Sequence, residues 1–170
     1  MAAADNILKN FALFVDGRGL AGNCEELSPP KLTLLTEDFK AGGLDAALKI
    51  RMGQEPMEAS FTLTKFDEKV LALWGVAPGN TSAFVGRGAV QSLDGSTKPV
   101  VEYMRGEVRE MDPGQWTPQG KATLKFIVDV TYYRKEINGT VIHEIDIPNM
   151  KRIVNGKDTL AAIRLAIGLA

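Results

Sequence analysis

Apolar and polar residues alternate with a period of two along much of the chain, a pattern that indicates β-strands. It predicts strands over residues 11–16, 31–37, 48–53, 57–65, 82–92, 98–111, 121–137, 140–147 and 150–154. The alternation is cleanest in the fourth of these segments. One of its faces carries Met57, Ala59, Phe61 and Leu63. The opposite face, which must meet water, carries Glu58, Ser60, Thr62 and Thr64.

Two of the predicted strands, Lys98–Met111 and Lys121–Ile137, are unusually long and are joined near Asp112-Pro113-Gly114. At about 3.3 Å per residue, fourteen residues span roughly 45 Å. A compact domain of this length is only about 40 Å across. Unless the first strand breaks at Gly106, we therefore expect the hairpin to overhang its own core. Its exposed edges would then need a partner.

Helical spacing is confined to two short stretches. One runs from Asp67, a candidate N-cap, to Trp74, with Gly75 as the C′ residue. The other begins near Asp158 and carries Leu160, Ile163, Leu165 and Ile167. Asn138-Gly139 predicts a type I′ hairpin turn. We expect residues 1–170 to form a single, mainly-β domain, an antiparallel sandwich or barrel of about eight strands with two short helices.

Composition excludes several classes of function. The net charge of −1 lacks the basic surplus of a protein stably bound to nucleic acid. A single cysteine cannot form an internal disulfide, and neither a secretory signal nor an apolar run of membrane-spanning length is visible. These features predict a protein made and folded in the cytosol, without stable membrane association.

Three motifs suggest chemistry but lack the residues to complete it. Gly17-Arg-Gly-Leu-Ala-Gly22 fits the dinucleotide fingerprint, yet Pro29-Pro30 would cut the required helix short, so a hairpin turn is the preferred interpretation. His143 is the only histidine and has no second nitrogen or sulfur ligand; we expect a surface or interface residue. Cys24 lies in a predicted polar turn with no histidine nearby, which favours a structural thiol. We predict no catalytic residue, no metal and no cofactor.

Two features leave alternatives open. Trp116, between two prolines, either covers the core beneath a loop or anchors a neighbouring subunit. The mixed charges of Glu102, Arg105, Glu107 and Arg109 either form a solvated sheet face or pair with another copy of the chain.

An ordered set of motifs extends over nearly the whole chain. It comprises Leu13-Phe-Val-Asp-Gly17, Pro30-Lys-Leu-Thr33, Phe39-Lys-Ala-Gly-Gly43, Met52-Gly53 with Met57-Glu-Ala59, Arg105-Gly106, Asp112-Pro-Gly-Gln-Trp116, Val130–Gly139, Glu144-Ile-Asp146 and Val154-Asn-Gly-Lys-Asp158 before a helix. This set resembles the major tail tube proteins of contractile-tailed bacteriophages and the tube subunits of R-type pyocins. Pro29 in place of leucine and Leu44 in place of methionine are local departures from that pattern.

The resemblance implies a structural role. Its members fold as a β-sandwich, and six copies close into a ring whose inner strands form one β-barrel. The rings stack into a hollow tube, which is driven through the host envelope when a sheath contracts. A tape-measure protein fills the tube and DNA passes in transit. The implied partners are further copies of the chain, the tail sheath protein, the tape-measure protein, the baseplate hub and the tail terminator. The implied location is the virion tail, assembled in the host bacterial cytoplasm.

On this basis we assign candidate surfaces. The polar face of Glu58, Ser60, Thr62 and Thr64 is predicted to line the lumen. The loop from Phe39 to Ala47 is predicted to contact the adjacent ring, with Phe39, Lys40, Gly42, Gly43 and Asp45 as its candidate residues. Trp116 is the candidate inter-subunit contact. The alternatives are a type VI secretion-like tube subunit and a β-barrel module that binds a small ligand or carbohydrate.

Overall fold

The protein, described by a computed structural model over residues 4–169, is built mainly from antiparallel strands. In chain order the strands are β1 (Ile7–Val15), β2 (Arg18–Gly19), β3 (Cys24–Ser28), β4 (Leu34–Phe39), β5 (Leu48–Gln54), β6 (Met57–Leu63), β7 (Ser82–Gln91), β8 (Thr97–Asp112), β9 (Leu124–Ile137), β10 (Thr140–Asp146), β11 (Lys151–Val154) and β12 (Lys157–Asp158). The two helices are α1 (Glu68–Leu71) and α2 (Ala161–Ala166). Within the described residues no helix is long and apolar enough to cross a membrane.

The long hairpin of β8 and β9 is the spine of the main sheet. On one side, β7 pairs with β8 from Thr97 to Gly106. On the other side, β6 pairs with β9 from Leu124 to Val130, and β10 takes over from Tyr132 to Ile137. The overhang is shorter than expected, because different neighbours cover different lengths of the hairpin. Only Glu107–Asp112 of β8 extends beyond β7.

The sheet bends over so that its two halves pack on each other as a sandwich. Buried side chains of β1, β6, β7, β8 and β9 belong to one apolar cluster. Phe61 of β6 stacks on Phe126 with ring centroids 4.8 Å apart, and it meets Phe84 of β7, a strand with which β6 does not pair, at 5.5 Å. Leu27 of β3 lies against Gly86 of β7, where a Cβ would come within 2.4 Å of its Cδ2. This confirms the mainly-β, sandwich-like fold.

Most predicted strands are present, but several boundaries move. The strand expected over residues 31–37 lies at Leu34–Phe39, and β9 begins at Leu124 rather than Lys121. The strand β3 was not predicted, because a bulge places Cys24 and Leu27 on the same face although they are three residues apart. Both helices are shorter than expected. The Asn138-Gly139 turn is confirmed by positive φ angles of 50° and 78°.

Gly106 does not break β8. It lies at a register shift between β8 and β9, where the backbones come unusually close. A Cβ at this position would lie 2.0 Å from the carbonyl oxygen of Asp129. The strand needs a residue without a side chain here, so Gly106 allows the continuous pairing of β8 with β9 instead of breaking the strand.

A buried polar network also ties β8 to β9. The carboxylate of Glu102 is buried; it accepts a hydrogen bond from the Tyr133 hydroxyl at 2.7 Å and pairs with Lys135 Nζ at 2.9 Å. Burial, followed by the neighbouring carboxylate, raises the pKa of Tyr133 well above its usual range. The tyrosine therefore stays protonated as a donor, which satisfies the buried charge.

The helix α1 begins at Asp67, as predicted. The Asp67 side chain accepts from the backbone N–H groups of Lys69 and Val70, and both of its carboxylate oxygens accept from Arg18 Nη2, at 2.9 and 3.1 Å. These contacts, chiefly the Arg18 hydrogen bond, lower the pKa of the Asp67 carboxyl. A depressed folded-state pKa stabilises the fold above the unfolded value of about 3.9, and the contribution is lost as pH falls through the folded-state pKa.

We therefore expect Asp67→Asn, which keeps a capping oxygen but loses the charge, to lower Tm by several degrees at pH 7. The difference from the wild type should shrink as the pH drops below about 4. Thermal unfolding followed by circular dichroism from pH 3 to pH 7 measures it. Asp38→Asn, which removes an exposed carboxylate 3.6 Å from Lys49 Nζ, is the matched control. A pH-independent difference between Asp67→Asn and the wild type would contradict the account.

Candidate functional site

The polar face predicted to line a lumen lies on the outside of a four-stranded part of the sheet, in the order β3–β6–β9–β8. Direct cross-strand partners share a face, so the register defines its rows. Glu58 pairs with Asp129, which pairs with Glu107. Ser60 lies between Ser28 and Ile127 in the second row, and Thr62 lies between Glu26 and Lys125 in the third. On the inner face, Met57, Ala59, Phe61 and Leu63 are all buried, as their alternation predicts.

This outer face is strongly acidic. Its carboxylates are Glu26, Glu58, Glu107, Glu110, Asp112 and Asp129. Its cations are Lys125 and Arg109. The face thus concentrates negative charge although the chain as a whole is nearly neutral. On this face Ser60 and Thr62 are partly exposed and Glu58 is exposed. Thr64 lies just beyond the end of β6, partly exposed, and its hydroxyl donates to the carbonyl oxygen of Asn23 at 3.3 Å.

Arg109 lies at the centre of the face, at a bulge in β8. Its guanidinium forms ion pairs with Glu58 and with Asp129, the latter at 3.0 Å. The Glu58 hydrogen bond is the larger cause of the raised pKa of Arg109, followed by the charge of Asp129. One cation therefore offsets two facing carboxylates that lie directly opposite each other on β6 and β9.

Replacing Arg109 by glutamine should leave Glu58, Asp129 and Glu107 repelling one another. Because these groups are about half exposed, we expect only a small loss in Tm at low ionic strength, and that loss should disappear in about 1 M salt, where the Debye length is about 3 Å. Differential scanning fluorimetry across a salt series measures it. Arg51→Gln, on an exposed strand, matches the change in net charge. Equal salt dependence of the two variants would contradict a specific role for Arg109.

Both edges of the four-stranded sheet are open. Beyond β3 no strand of the described residues pairs, and β8 extends past β7 from Glu107 to Asp112. The second edge is partly covered by Trp74, which bridges to Val108 and donates from Nε1 to the carbonyl oxygen of Arg109 at 3.1 Å. Open strand edges are templates for pairing with another chain.

The predicted inter-ring loop is the end of a projecting hairpin, which we call the arm: β4 and β5 with the tip at residues 40–47. β4 and β5 pair only with each other. Phe39 ends β4, Lys40 and Gly42 follow it, and Gly43 takes a φ of 87° in the turn before Asp45. All these residues are exposed.

The arm departs from prediction in one respect. Alternation predicts a strand at residues 48–53 with one buried face, but its apolar residues Leu48, Ile50 and Met52 are all exposed, Met52 by 62 %. The strand is present, but within residues 4–169 no second layer covers its apolar side. An isolated two-stranded hairpin is marginally stable at best in water. The arm is therefore a surface that needs a partner.

Trp116 lies in the loop between β8 and β9 and does not cover a buried core. Its side chain is 73 % exposed and meets Phe66, 45 % exposed, edge to face with ring centroids 5.7 Å apart. Of the two roles considered for Trp116, this geometry favours an anchor for another molecule.

An apolar groove of about 860 Å³ lies between the base of the arm, the middle of β9 and α2. Its apolar lining includes Met52, Ile145, Ile147 and Ile163. No residue of α2 is buried, and Ile163 is 52 % exposed. An Asp158–Arg164 ion pair at 2.9 Å anchors α2. The groove could not be predicted from the sequence because segments far apart in the chain form it. The sequence did show one part of it, the apolar residues at helical spacing in and around α2.

The three motifs that suggested chemistry lie in turns and strands that lack the features this chemistry requires. Gly17 forms the β1–β2 turn, and the element that follows Gly22 is the strand β3 rather than a helix. Cys24 begins β3 rather than lying in a turn, and burial raises its pKa to about 11, which disfavours a reactive thiolate. His143 is half-buried on β10 beside Val154. Among residues 4–169, no three His, Cys, Asp or Glu side chains are placed to hold a metal ion.

Comparison with known proteins gives a consistent result. The sequence profile of the family described as "Phage tail tube protein FII" matches residues 5–168. The chain is 30 % identical over 166 residues to the tail tube protein of Escherichia phage P2, covering 95 % of this chain and 96 % of that protein. It is 27 % identical over 154 residues to the major tail tube protein of Serratia phage KSP20, covering 89 % and 88 % of the two chains.

Proposed function

The chain belongs to the phage tail tube protein FII family, and from that premise we propose that six copies join through their four-stranded sheets into a ring. As a member, it is a structural subunit of a tail tube and a component of the virion, and the family is not enzymatic. The whole chain acts as a single tail tube domain. The rings stack into a hollow tube.

The alternation of strand directions carries this proposal. Each neighbouring pair among β3, β6, β9 and β8 is antiparallel, so β8 runs opposite to β3. When the open edge of β8 meets the open edge of β3 in the next copy, that pair is antiparallel as well. An even number of alternating strands can therefore close into a continuous barrel without a mismatch, and closure removes both edges.

A ring of six such sheets leaves a wide channel, because barrels of roughly 16–18 strands already enclose water. We place the acidic outer face of the sheet on the lumen, with Glu58, Ser60, Thr62 and Thr64 among its wall residues. Screening acts over about 8 Å at physiological salt, so wall charges dominate what passing DNA meets. Negative charge there repels the phosphates and keeps DNA from sticking.

The groove and α2 support lateral contacts between copies. β6 and β10 lie on the same side of β9, so the groove lies on the side of the molecule that ends in the open β3 edge. A neighbour that joins at β3 therefore covers Met52, Ile147 and Ile163. The arm, with Phe39, Lys40, Gly42, Gly43 and Asp45, contacts the adjacent ring.

The remaining partners follow from the tube role. We propose that the tail sheath protein surrounds the tube, that a tape-measure protein and then DNA occupy its lumen, and that the baseplate hub and tail terminator bind its two ends. Assembly takes place in the host bacterial cytoplasm. Sheath contraction then drives the tube through the host envelope.

Electron microscopy with analytical ultracentrifugation of the purified chain tests the proposal. We expect six-fold rings at moderate concentration and hollow rods at high concentration. A species that stays monomeric at every concentration, and is stabilised by a small ligand instead, would contradict it and favour a ligand-binding module.

A further inference from the structure

The arm carries an apolar cluster at its far end. Phe39 and Leu48 are direct cross-strand partners, so their side chains share one face of the hairpin, and Leu44 lies in the tip between them. All three are exposed. Because β4 and β5 pair with no other strand of the described chain, the arm extends beyond its base without support.

The arm and the Phe66–Trp116 pair lie at opposite ends of the four-stranded sheet. The arm is inserted between the end of β3 and the start of β6, next to the row of Met57 and Val130. Phe66 follows the other end of β6, and Trp116 lies between the end of β8 and the start of β9. One end of the sheet therefore projects an apolar hairpin, and the other presents two exposed aromatic rings.

We propose that the arm of a subunit in one ring seats its apolar cluster, Phe39, Leu44 and Leu48, on the Phe66–Trp116 pair of a subunit in the next ring. Two different patches at opposite ends of one molecule make a head-to-tail contact, the kind that generates open-ended polymers. About ten residues from Leu34 to the tip give a reach of roughly 30 Å. This inference rests on the proposed stacking of rings and identifies the residues that make the contact between them.

The charged residues at the arm tip and beside the Trp116 loop also support the contact between arm and aromatic pair. A hollow of about 330 Å³ beside the Trp116 loop is lined by Glu25, Glu26 and Asp112 together with Lys125. Lys40 directly follows Phe39 at the start of the tip, and Asp45 is the carboxylate on its far side. Glu25 already pairs with Lys121. With Phe39 on the aromatic pair, Lys40 reaches the other two carboxylates of the hollow, Glu26 and Asp112, while Asp45 lies toward Lys125. Opposite charges thus set the register of the contact.

Tryptophan fluorescence tests the contact directly. Trp74 and Trp116 are the only tryptophans, so Trp74→Phe leaves Trp116 as the sole reporter. We expect its emission to shift to the blue and resist acrylamide quenching when rings stack into rods, and to stay unchanged when subunits close into rings. Trp116→Ala should still give rings but raise the concentration needed for rods at least about tenfold. Leu93→Ala, at an 80 % exposed residue in the β7–β8 turn, is the control.

Disulfide cross-linking distinguishes a contact between adjacent rings from a contact between subunits of the same ring. In a Cys24→Ser background, Asp45→Cys with Gln115→Cys should form disulfides in rods, giving covalent ladders, and none in rings that have not stacked. Asp45→Cys with Leu93→Cys should give none. Cross-links in unstacked rings, or rods in which Trp116 stays exposed, would overturn the contact while leaving the tube intact. A protein that forms no rings would overturn the proposed function, and this contact with it.

Discussion

Gly106→Ala is expected to destabilise the subunit by about 1–3 kcal/mol, since the added Cβ must force apart two packed backbones. For a chain of this size that corresponds to a loss of roughly 3–10 °C in Tm. The Cβ would lie 2.0 Å from the carbonyl oxygen of Asp129 and 3.0 Å from Cα of Val130. These are backbone atoms of β9, which cannot rotate away as a side chain can. Strands of both layers of the sandwich pair with the β8–β9 hairpin, so separating its backbones lowers the free energy of unfolding of the whole subunit.

Gly42→Ala is the matched control for this substitution. A Cβ on Gly42, at the arm tip, would meet no atom within 4 Å. We expect its free energy of unfolding to stay within about 0.5 kcal/mol of the wild-type value. Thermal and urea unfolding measure both variants. If Gly106→Ala unfolds at the same temperature as Gly42→Ala, the close approach of β8 and β9 is not present in solution.

Ile163→Asp is expected to abolish ring formation while leaving the subunit folded. Ile163 is half exposed in the single subunit and lies outside the buried core cluster, so its free energy of unfolding should change by no more than about 0.5 kcal/mol. Fully burying an exposed isoleucine contributes about 1.5–3 kcal/mol, so covering the exposed half of Ile163 contributes roughly half of that at each interface. A buried unpaired carboxylate adds a further penalty. A closed ring contains the same interface between every pair of neighbours, so the lost contact free energy is summed over all of them.

Size-exclusion chromatography with light scattering, alongside circular dichroism, separates assembly from folding. Leu93→Asp places the same charge on a residue even more exposed, in the β7–β8 turn away from the groove, and should assemble normally. Rings of Ile163→Asp forming at the wild-type concentration would show that the groove is not a contact between copies.

Period-two alternation correctly predicted the two strands of the β8–β9 hairpin because each of them has one buried face and one solvent-exposed face. From Met57 to Leu63 both the strand and its buried side were predictable. The same signal failed at Leu48, Ile50 and Met52, whose apolar side is exposed in the single subunit. Periodicity reports which side chains share a face, but it does not tell whether that face is covered by the same chain or by another.

The acidic face was beyond sequence reasoning for a different reason. Only three of its residues, Glu58, Ser60 and Thr62, belong to β6, and the rest come from three other strands. Their meeting depends on register, including the bulge that brings Arg109 between Glu58 and Asp129. A shift of one residue in that register would turn these charges into the core. The groove likewise requires segments about a hundred residues apart, from Met52 to Ile163.

Cryo-electron microscopy of the assembled tube tests the central claim most directly. The account predicts that β3 of one subunit and the Glu107–Asp112 part of β8 of its neighbour lie side by side, antiparallel, in one continuous barrel. Glu58, Ser60 and Thr62 should then point into the lumen. A map in which those side chains are packed inside the wall, or in which the four-stranded sheets do not join edge to edge, would contradict it.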